Sequence, residues 1–304
     1  MEQSESYAVT GATGFVGQRL CKLLSKPRIL TRAPEIAPAE FDRSACFRWD
    51  PGTEIPPSEA FDGCRAVFHL AGEPVAEGRW TDAKKARIRD SRVAGTRNLV
   101  EGLRQLERRP EVLVSASAVG IYGSRGDETL TESAPPADGF LADVCSAWEA
   151  EALAAERLGI RVATIRVGLV LGSQGGALAK MLPLFRLCAG GRLGTGRQWM
   201  PWIHVDDLAA LFLFCAQSGD MSGSVNGCAP HPVTNRDFTS ALASAVRRPA
   251  LFPAPAFALR LALGQFAEVL LASQRVAPTK AQAAGFKFDH ATIEAALNAI
   301  LAPT

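Results

Sequence analysis

Short apolar runs alternate with helical patterns along the first half of the chain. The runs, rich in Val, Ile and Leu, stand at residues 7–9, 28–32, 46–49, 66–72, 112–120 and 161–172. Residues 17–26, 84–106 and 146–159 instead carry apolar positions at helical spacing. Strands that alternate with helices pair in parallel through crossovers, and continuous apolar strands are covered on both faces. The pattern predicts an α/β fold with a doubly wound parallel sheet.

The alternation weakens from about residue 169. The chain there becomes rich in glycine, and from Pro230 onwards it is mostly helical with proline interruptions. Ligands of open α/β folds bind at the carboxyl edge of the sheet, where we expect a smaller lobe. The predicted division is a nucleotide-binding domain of residues 1–168, to which 200–229 return, and a small C-terminal substrate lobe of residues 169–199 and 230–304.

Residues 10–17 read T-G-A-T-G-F-V-G, between the first apolar run and the first helix. Glycine takes positive φ freely and lets other groups approach the backbone closely. A loop of this kind that opens a helix presents free amide N–H groups, which bind phosphate. If the three glycines are considered without their neighbours in sequence, a tight, closely packed turn is the alternative to a phosphate-binding loop. The strand before the loop and the helix after it favour a dinucleotide-binding loop.

The end of the second strand indicates which dinucleotide binds. NAD-binding folds place Asp or Glu about twenty residues after the first glycine, whereas an arginine there accommodates the 2′-phosphate of NADP. This strand ends in Thr31 and Arg32. Glu35 lies too far along the chain to take the place of the acidic residue that NAD-binding folds have there. The sequence therefore predicts NADP in preference to NAD, with an exposed turn arginine as the alternative.

Composition excludes several classes of protein. The chain has 304 residues, 47% of them hydrophobic, which suffices for a substantial core. Its 33 basic and 31 acidic residues give no charge footprint for nucleic acid or an anionic membrane. Seven scattered cysteines without a C-x-x-C pair argue against disulfides and a zinc site. The N-terminus lacks a signal peptide pattern, so we expect a cytoplasmic protein with a small-molecule substrate and neither metal nor membrane segment.

The motifs in combination resemble a known family. TGATGFVG, LTRAP, HLAGEP, SRVAGT, RVGLVLG, PWIHVDDLA and AGFKF spread over nearly the whole chain. Together they resemble the extended short-chain dehydrogenase/reductase superfamily, and within it an atypical epimerase-like family with bacterial and organellar members. The resemblance implies an NADP-binding Rossmann domain, a small C-terminal substrate lobe and a small polar substrate.

The resemblance also implies roles for individual residues. The glycine loop and the end of the second strand hold the phosphates, residues 70–72 pass beneath the adenosine side, and Arg92 approaches the cofactor. The implied cofactor-binding residues are Gly11, Thr13, Gly14, Phe15, Val16, Gly17, Thr31, Arg32, Leu70, Ala71, Gly72 and Arg92. His69 stands where many relatives have asparagine, and a packed strand histidine is the alternative to a ligand there.

The catalytic Tyr-x-x-x-Lys pair of the superfamily is absent. The chain has two tyrosines, Tyr7 and Tyr122, and neither is followed by lysine at that spacing. The helix expected to carry the pair is FLADVCSAWEAEALAA. Its two possible registers place Leu141 and Cys145, or Asp143 and Ala147, at the positions of the tyrosine and the lysine, and neither supplies lysine. The usual proton relay is therefore missing.

Two hydroxyl groups near the expected site are the remaining catalytic candidates. Ser117 and Tyr122 lie in SASAVGIYG at the end of the fifth strand. A packed turn aromatic is the alternative for Tyr122. Further pocket candidates are Trp202, His204, Arg197 and Gln198.

Two classes of function follow. One is an NADP-dependent oxidoreductase or epimerase. The other is a non-catalytic NADP(H)-binding sensor or regulator. The missing Tyr-x-x-x-Lys pair favours either this second class or an enzyme with an unusual proton donor.

Overall fold

A computed structural model describes residues 6–36, 41–42 and 45–302. The strands within these residues are β1 (Ser6–Thr10), β2 (Arg28–Thr31), β3 (Cys46–Arg48), β4 (Cys64–His69), β5 (Val112–Ala118), β6 (Thr129–Leu130), β7 (Arg161–Val167), β8 (Leu169–Leu171), β9 (Trp199–Met200), β10 (Trp202–His204), β11 (Gly223–Gly227), β12 (Val233–Thr234) and β13 (Arg275–Val276).

The α-helices flank these strands or follow them. They are α1 (Phe15–Cys21), α2 (Asp82–Arg104), α3 (Phe140–Leu153), α4 (Gly176–Arg186), α5 (Val205–Gln217), α6 (Asn235–Val246), α7 (Ala256–Leu263), α8 (Phe266–Leu271), α9 (Thr279–Ala283) and α10 (Ile293–Leu301).

Seven parallel strands form the central sheet in the order β11-β7-β5-β4-β1-β2-β3. The chain builds outwards from β1 to β3, crosses back, and continues from β4 to β11 on the other side. The topological switch point therefore lies between β1 and β4, where open α/β sheets bind their ligands. The predicted α/β class and doubly wound parallel sheet are confirmed.

Helices cover both faces of the sheet because successive residues of each strand point to opposite sides. On β4, Val67 packs in one cluster with Leu99 of α2, whereas Phe68 packs in the other with Phe212 of α5. All four side chains are fully buried. Each such side chain contributes about 1.5–3 kcal/mol to folding, so the continuous apolar strands fix the two-sided architecture.

The apolar run at residues 161–172 is two strands, where the sequence predicted one. Gly168 separates β7 from β8, and a side chain there would overlap the carbonyl oxygen of Pro201. The Leu169 amide donates to that same carbonyl at 2.6 Å. Beyond Gly168 the chain therefore leaves the main sheet, and β8 pairs with β10.

The division into a domain and a lobe stays a prediction, and the structure adds detail to it. Strand β11, within the returning segment 200–229, pairs with β7 at the edge of the main sheet. Part of the predicted lobe also returns: β13 pairs with β6, and α9 packs against β11. Helices α4, α6 and α10 pack on one another around a separate core that includes Phe185, Phe238 and Leu297.

Candidate cofactor site and catalytic region

The glycine loop joins β1 to α1 at the switch point. Gly11 has φ +71°, and a Cβ there would lie 2.7 Å from the carbonyl carbon of Leu70. A Cβ on Gly17 would overlap the carbonyl oxygen of Gly11. These two glycines therefore let the loop pack against the end of β4 and let α1 pack on the loop.

Gly14 has a different environment from the other two glycines. It caps α1 in an extended conformation, and a Cβ there would meet no described atom except the Gly11 carbonyl oxygen, at 3.2 Å. The first amide N–H groups of a helix have no partner inside the helix. Gly14 is exposed, so the loop leaves room for a phosphate beside the start of α1.

The other loop residues contact the rest of the protein. The carbonyl of Thr13 accepts a hydrogen bond from Gln18 Nε2 at 2.9 Å. The ring of Phe15 lies against glycines of the turn between β8 and α4, since a Cβ on Gly175 would be 2.6 Å from Phe15 Cδ2. Val16 packs against the core.

Arg32 lies at the carboxyl end of β2, directly beside β1 in the sheet. Its side chain is exposed and forms no ion pair with any residue that the structure describes. The Thr31 carbonyl accepts from the Trp49 amide at 2.9 Å, which fixes the strand end. Glu35 follows in a short 3₁₀ turn, Pro34–Ile36. The arrangement leaves a guanidinium next to the glycine loop.

His69 is a packed strand histidine at the end of β4. Its Nδ1 lies 2.7 Å from Thr10 Oγ1, and its Nε2 lies 3.0 Å from Thr96 Oγ1. The Ala71 amide also donates to Thr10 Oγ1, at 3.2 Å. Burial, with a smaller contribution from the charge of Arg92, lowers the pKa of His69 to about 4. The neutral ring therefore holds the backbone of residues 70–71 beside the glycine loop.

Arg92, on α2, lies beneath the backbone at Gly72. A Cβ on Gly72 would be 3.2 Å from Arg92 Cζ. One guanidinium nitrogen donates to the Glu73 carbonyl at 3.0 Å, and the group lies 5.0 Å from the centroid of the Trp148 ring. Lys84 holds the Glu73 carboxylate at 2.8 Å, which lowers the pKa of Glu73. Arg92 and Lys84 thus fix the segment that follows β4.

A buried polar network lies at the carboxyl ends of β5 and β7. Glu149 of α3 accepts a hydrogen bond from Ser117 Oγ at 2.6 Å. Arg166 of β7 binds both oxygens of Glu149, each at 2.9 Å. Another nitrogen of Arg166 donates to the Tyr122 hydroxyl at 2.8 Å, and this hydroxyl donates to Asn226 Oδ1 at 2.7 Å. The network joins α3, β5, β7 and β11.

This network limits what the two catalytic candidates can do. Tyr122 is fully buried, its hydroxyl is engaged as donor and acceptor, and burial raises its pKa. Ser117 is 2% exposed, and its hydroxyl donates its single hydrogen bond to Glu149. Towards a ligand, the Ser117 oxygen can therefore act only as an acceptor. The structure therefore brings both residues together, but in bonds to protein groups. Their catalytic assignment stays a prediction.

Sequence reasoning missed Glu149 as the partner of Ser117, and Arg166 as the partner of Glu149 and Tyr122. One signal was present: Arg166 is a charged residue inside an otherwise apolar strand run, and buried charges require partners. Its partner on α3 could not be paired with it from sequence, because the two residues are 17 positions apart on different elements.

In one of its two registers, helix α3 carries Leu141 and Cys145 at the positions of the superfamily's pair. Leu141 packs on Gly120, whose Cβ would be 3.3 Å from Leu141 Cδ1. Cys145 is 3% exposed, and burial raises the pKa of its thiol to about 12. Since a thiol is a nucleophile only as the thiolate, Cys145 is inert at neutral pH.

The further pocket candidates are mostly bound to the protein itself. Gln198 is buried and donates to the Leu193 carbonyl at 3.1 Å. His204 caps α5 by accepting from the Asp206 amide at 3.1 Å. Trp202 is fully buried and donates to the His231 carbonyl at 3.1 Å. Arg197 is exposed.

Residues 6–36, 41–42 and 45–302 contain no helix that combines the length and apolar character that a membrane crossing requires. Nor do they bring three His, Cys, Asp or Glu side chains into a group able to hold a metal ion.

The chain is similar in sequence to known proteins along most of its length. Residues 7–226 match the NAD dependent epimerase/dehydratase family, and residues 254–300 match a domain of unknown function, DUF1731. The chain is 40% identical to the chloroplastic epimerase family protein SDR39U1 homolog of Arabidopsis thaliana over 310 residues, covering 99% of this chain and 88% of that protein. It is 34% identical to YfhF of Bacillus subtilis, covering 97% of each.

A solved structure has a closely similar fold. The crystal structure of human epimerase family protein SDR39U1, isoform 2, with NADPH matches with a TM-score of 0.87 and 29% sequence identity. The match covers 98% of this chain and 100% of the human one. The similarity therefore includes both the sheet and the helices that follow it.

Proposed function

The chain belongs to the NAD dependent epimerase/dehydratase family, and on that premise we propose that it is an NADP(H)-dependent oxidoreductase or epimerase-type enzyme acting on a small molecule. Family membership accords with the resemblance predicted from the motifs. The observation that carries the proposal is the pairing of an open glycine loop, at Gly14, with the exposed side chain of Arg32 on the neighbouring strand end.

The residues at the switch point fit a dinucleotide phosphate. The pyrophosphate would lie at Gly14, against amides at the start of α1, where Gly11 and Gly17 keep the backbone compact. Arg32 would pair with the 2′-phosphate in a bidentate way, and Thr31 would position it. Leu70, Ala71 and Gly72, supported by Arg92, would form the floor beneath the adenosine side. The human SDR39U1 structure, solved with NADPH, supports this choice of cofactor.

When bound, the nicotinamide ring supplies or accepts a hydride. The chain's own residues restrict the accompanying proton transfer. Ser117 can accept a hydrogen bond from a ligand while its own hydroxyl proton is donated in a hydrogen bond to Glu149. Tyr122 is enclosed, with a pKa raised by burial, whereas an efficient acid or base has a pKa near the working pH. We therefore infer slow turnover on sugar-nucleotide substrates, and an alkaline optimum if Tyr122 is the base.

A cofactor titration, followed by a substrate screen, tests the proposal. NADPH fluorescence should give a dissociation constant at least about tenfold lower than that of NADH, since one charge-assisted pair is added. Equal affinities would contradict the cofactor assignment. Purified protein should then oxidise NADPH with at least one member of a panel of carbonyl compounds. Tight binding without turnover on any member would contradict the enzymatic assignment and leave a binding protein.

A further inference from the structure

The predicted lobe is basic although the whole chain is nearly neutral. Residues 169–199 contain four Lys or Arg residues and no Asp or Glu, and residues 230–304 contain seven Lys or Arg residues and four Asp or Glu residues. The net charge of the chain is only +2. Positive charge is therefore concentrated in a part of the molecule that includes neither the glycine loop nor Arg32.

Two of these arginines are held side by side over Gly196. A Cβ on Gly196 would lie 3.3 Å from Arg192 Cβ and 3.4 Å from Arg236 Cβ. The Arg236 amide donates to the Gly196 carbonyl at 2.8 Å, and the Ala254 amide donates to the Arg192 carbonyl at 2.9 Å. Gly196 has φ +72°, which favours glycine. The backbone thus fixes the Cβ atoms of two basic residues around the same glycine.

No carboxylate balances this pair within the described residues. Arg192 and Arg236 form no ion pair there, and both are exposed. The nearest acidic residue in sequence, Asp237, turns back to cap α6, where it accepts from Thr234 Oγ1 at 2.6 Å. Adjacent like charges raise the energy of the protein unless an anion lies between them.

The two arginines line a cavity of about 370 Å³. Thr239 and Ser240 extend its polar side, while Leu251 and Pro253 form an apolar side. Thr239 is 6% exposed, and its buried hydroxyl has no hydrogen-bond partner among the described residues. Rotation about χ1 exchanges its hydroxyl and methyl positions, which offers a bound ligand one more donor.

We propose that this cavity binds the phosphate group of a small organic phosphate ester. Two guanidinium groups provide forked donors that match phosphate oxygens, and its double negative charge would neutralise both. Leu251 and Pro253 would contact the organic part of the ester. The lining residues belong to α6 and to the segments around residues 192 and 251, so this site differs from the cofactor site.

Thermal unfolding with phenyl phosphate and with inorganic phosphate tests this site. Saturating NADPH fills the cofactor site, and sodium chloride keeps the ionic strength equal. We expect a saturable rise in Tm, with phenyl phosphate acting at lower concentration than inorganic phosphate. Arg192→Ala and Arg236→Ala should each weaken the apparent affinity by about tenfold or more. Leu251→Ser should remove the advantage of phenyl phosphate.

Controls separate this site from general charge effects and from lipid binding. Arg248→Ala removes an exposed arginine at the end of α6, outside the cavity, and should leave the phosphate response unchanged. Without phosphate, Arg192→Ala should be at least as stable as the wild type, because repulsion is relieved. No rise in Tm, or an equal rise in Arg192→Ala, overturns the proposal. Sedimentation with phosphatidylglycerol vesicles that depends on Arg192, without any response to phenyl phosphate, also overturns it and identifies a lipid headgroup.

Discussion

Glu149 of α3 and Arg166 of β7 form a buried bidentate ion pair, with each oxygen of Glu149 2.9 Å from a nitrogen of Arg166. Both side chains are only 8% exposed. The same carboxylate accepts from Ser117, and the same guanidinium donates to Tyr122. One pair therefore determines the hydrogen bonding of both hydroxyl groups that the sequence predicts to be catalytic.

Replacing one member of this pair should destabilise the protein strongly. Glu149→Gln leaves Arg166 charged and buried, which costs about 3 kcal/mol of unfolding free energy. Urea unfolding at neutral pH measures this. Glu151→Gln is the matched control on the same helix, since Glu151 pairs with Arg97 at the surface and should cost less than about 1 kcal/mol. An equal loss of unfolding free energy in the two variants would show that the buried Glu149 pair stabilises the protein no more than the surface pair does.

Tyr122→Phe separates a structural role from a catalytic one. It removes the hydroxyl that links Arg166 to Asn226 and should lower the unfolding free energy by about 1–3 kcal/mol. Affinity for NADPH should be unchanged, because the hydroxyl is buried in protein contacts. If a substrate is found, a loss of kcat far beyond the fraction of unfolded protein would restore Tyr122 as a proton donor. Ser117→Ala, measured in parallel, tests the other hydroxyl.

Arg32→Asp should reverse the cofactor preference. Loss of a bidentate pair with the 2′-phosphate and the gain of repulsion should raise the dissociation constant of NADPH by about a hundredfold. That of NADH should stay within a few fold. Arg48→Ala, at an exposed ion pair on the next strand, serves as the control and should change neither. If Arg32→Asp kept the preference for NADPH over NADH, this would contradict the assignment of Arg32 to the 2′-phosphate.

Two glycine variants in the loop should fail in different ways. Gly14→Val places a side chain at an exposed position whose Cβ lies 3.2 Å from one backbone atom, the Gly11 carbonyl oxygen, so we expect a folded protein that no longer binds NADPH. Gly17→Ala overlaps the Gly11 carbonyl oxygen and should lower the unfolding free energy by about 2 kcal/mol or more. Circular dichroism with NADPH titration distinguishes them. Normal NADPH binding by folded Gly14→Val would mean that the glycines serve packing alone.

His69 should make stability depend on pH. Its pKa is about 4 in the folded protein, against about 6.5 when unfolded. The unfolded chain therefore binds more protons between these values, and stability falls as pH drops from about 6.5 towards 4. Relative to His69→Asn, the wild type should lose about 2 kcal/mol between pH 7 and pH 5. Unfolding curves at both pH values measure this difference. His231→Gln, at an exposed position, should follow the wild type.

The sequence by itself determined the α/β class, the alternation of strands and helices in the first half of the chain, and the glycine loop. These features depend on local information: runs of apolar residues are buried on both faces of a sheet, and glycine is required where Gly11 takes a positive φ. The place of Arg32 beside the loop also follows from sequence, because consecutive strands β1 and β2 are neighbours. The absence of a Tyr-x-x-x-Lys pair needs no structure at all.

Tertiary structure alone decided which polar groups meet. Ser117, Glu149 and Arg166 come from three separate elements, and their hydrogen bonds depend on how α3 packs across β5 and β7. Arg192 and Arg236 likewise become neighbours through one loop folded onto α6. Side-chain hydrogen bonds act over about 3 Å, whereas sequence patterns fix positions only along a strand or helix. Whether a hydroxyl faces a ligand or a buried carboxylate is therefore settled by packing.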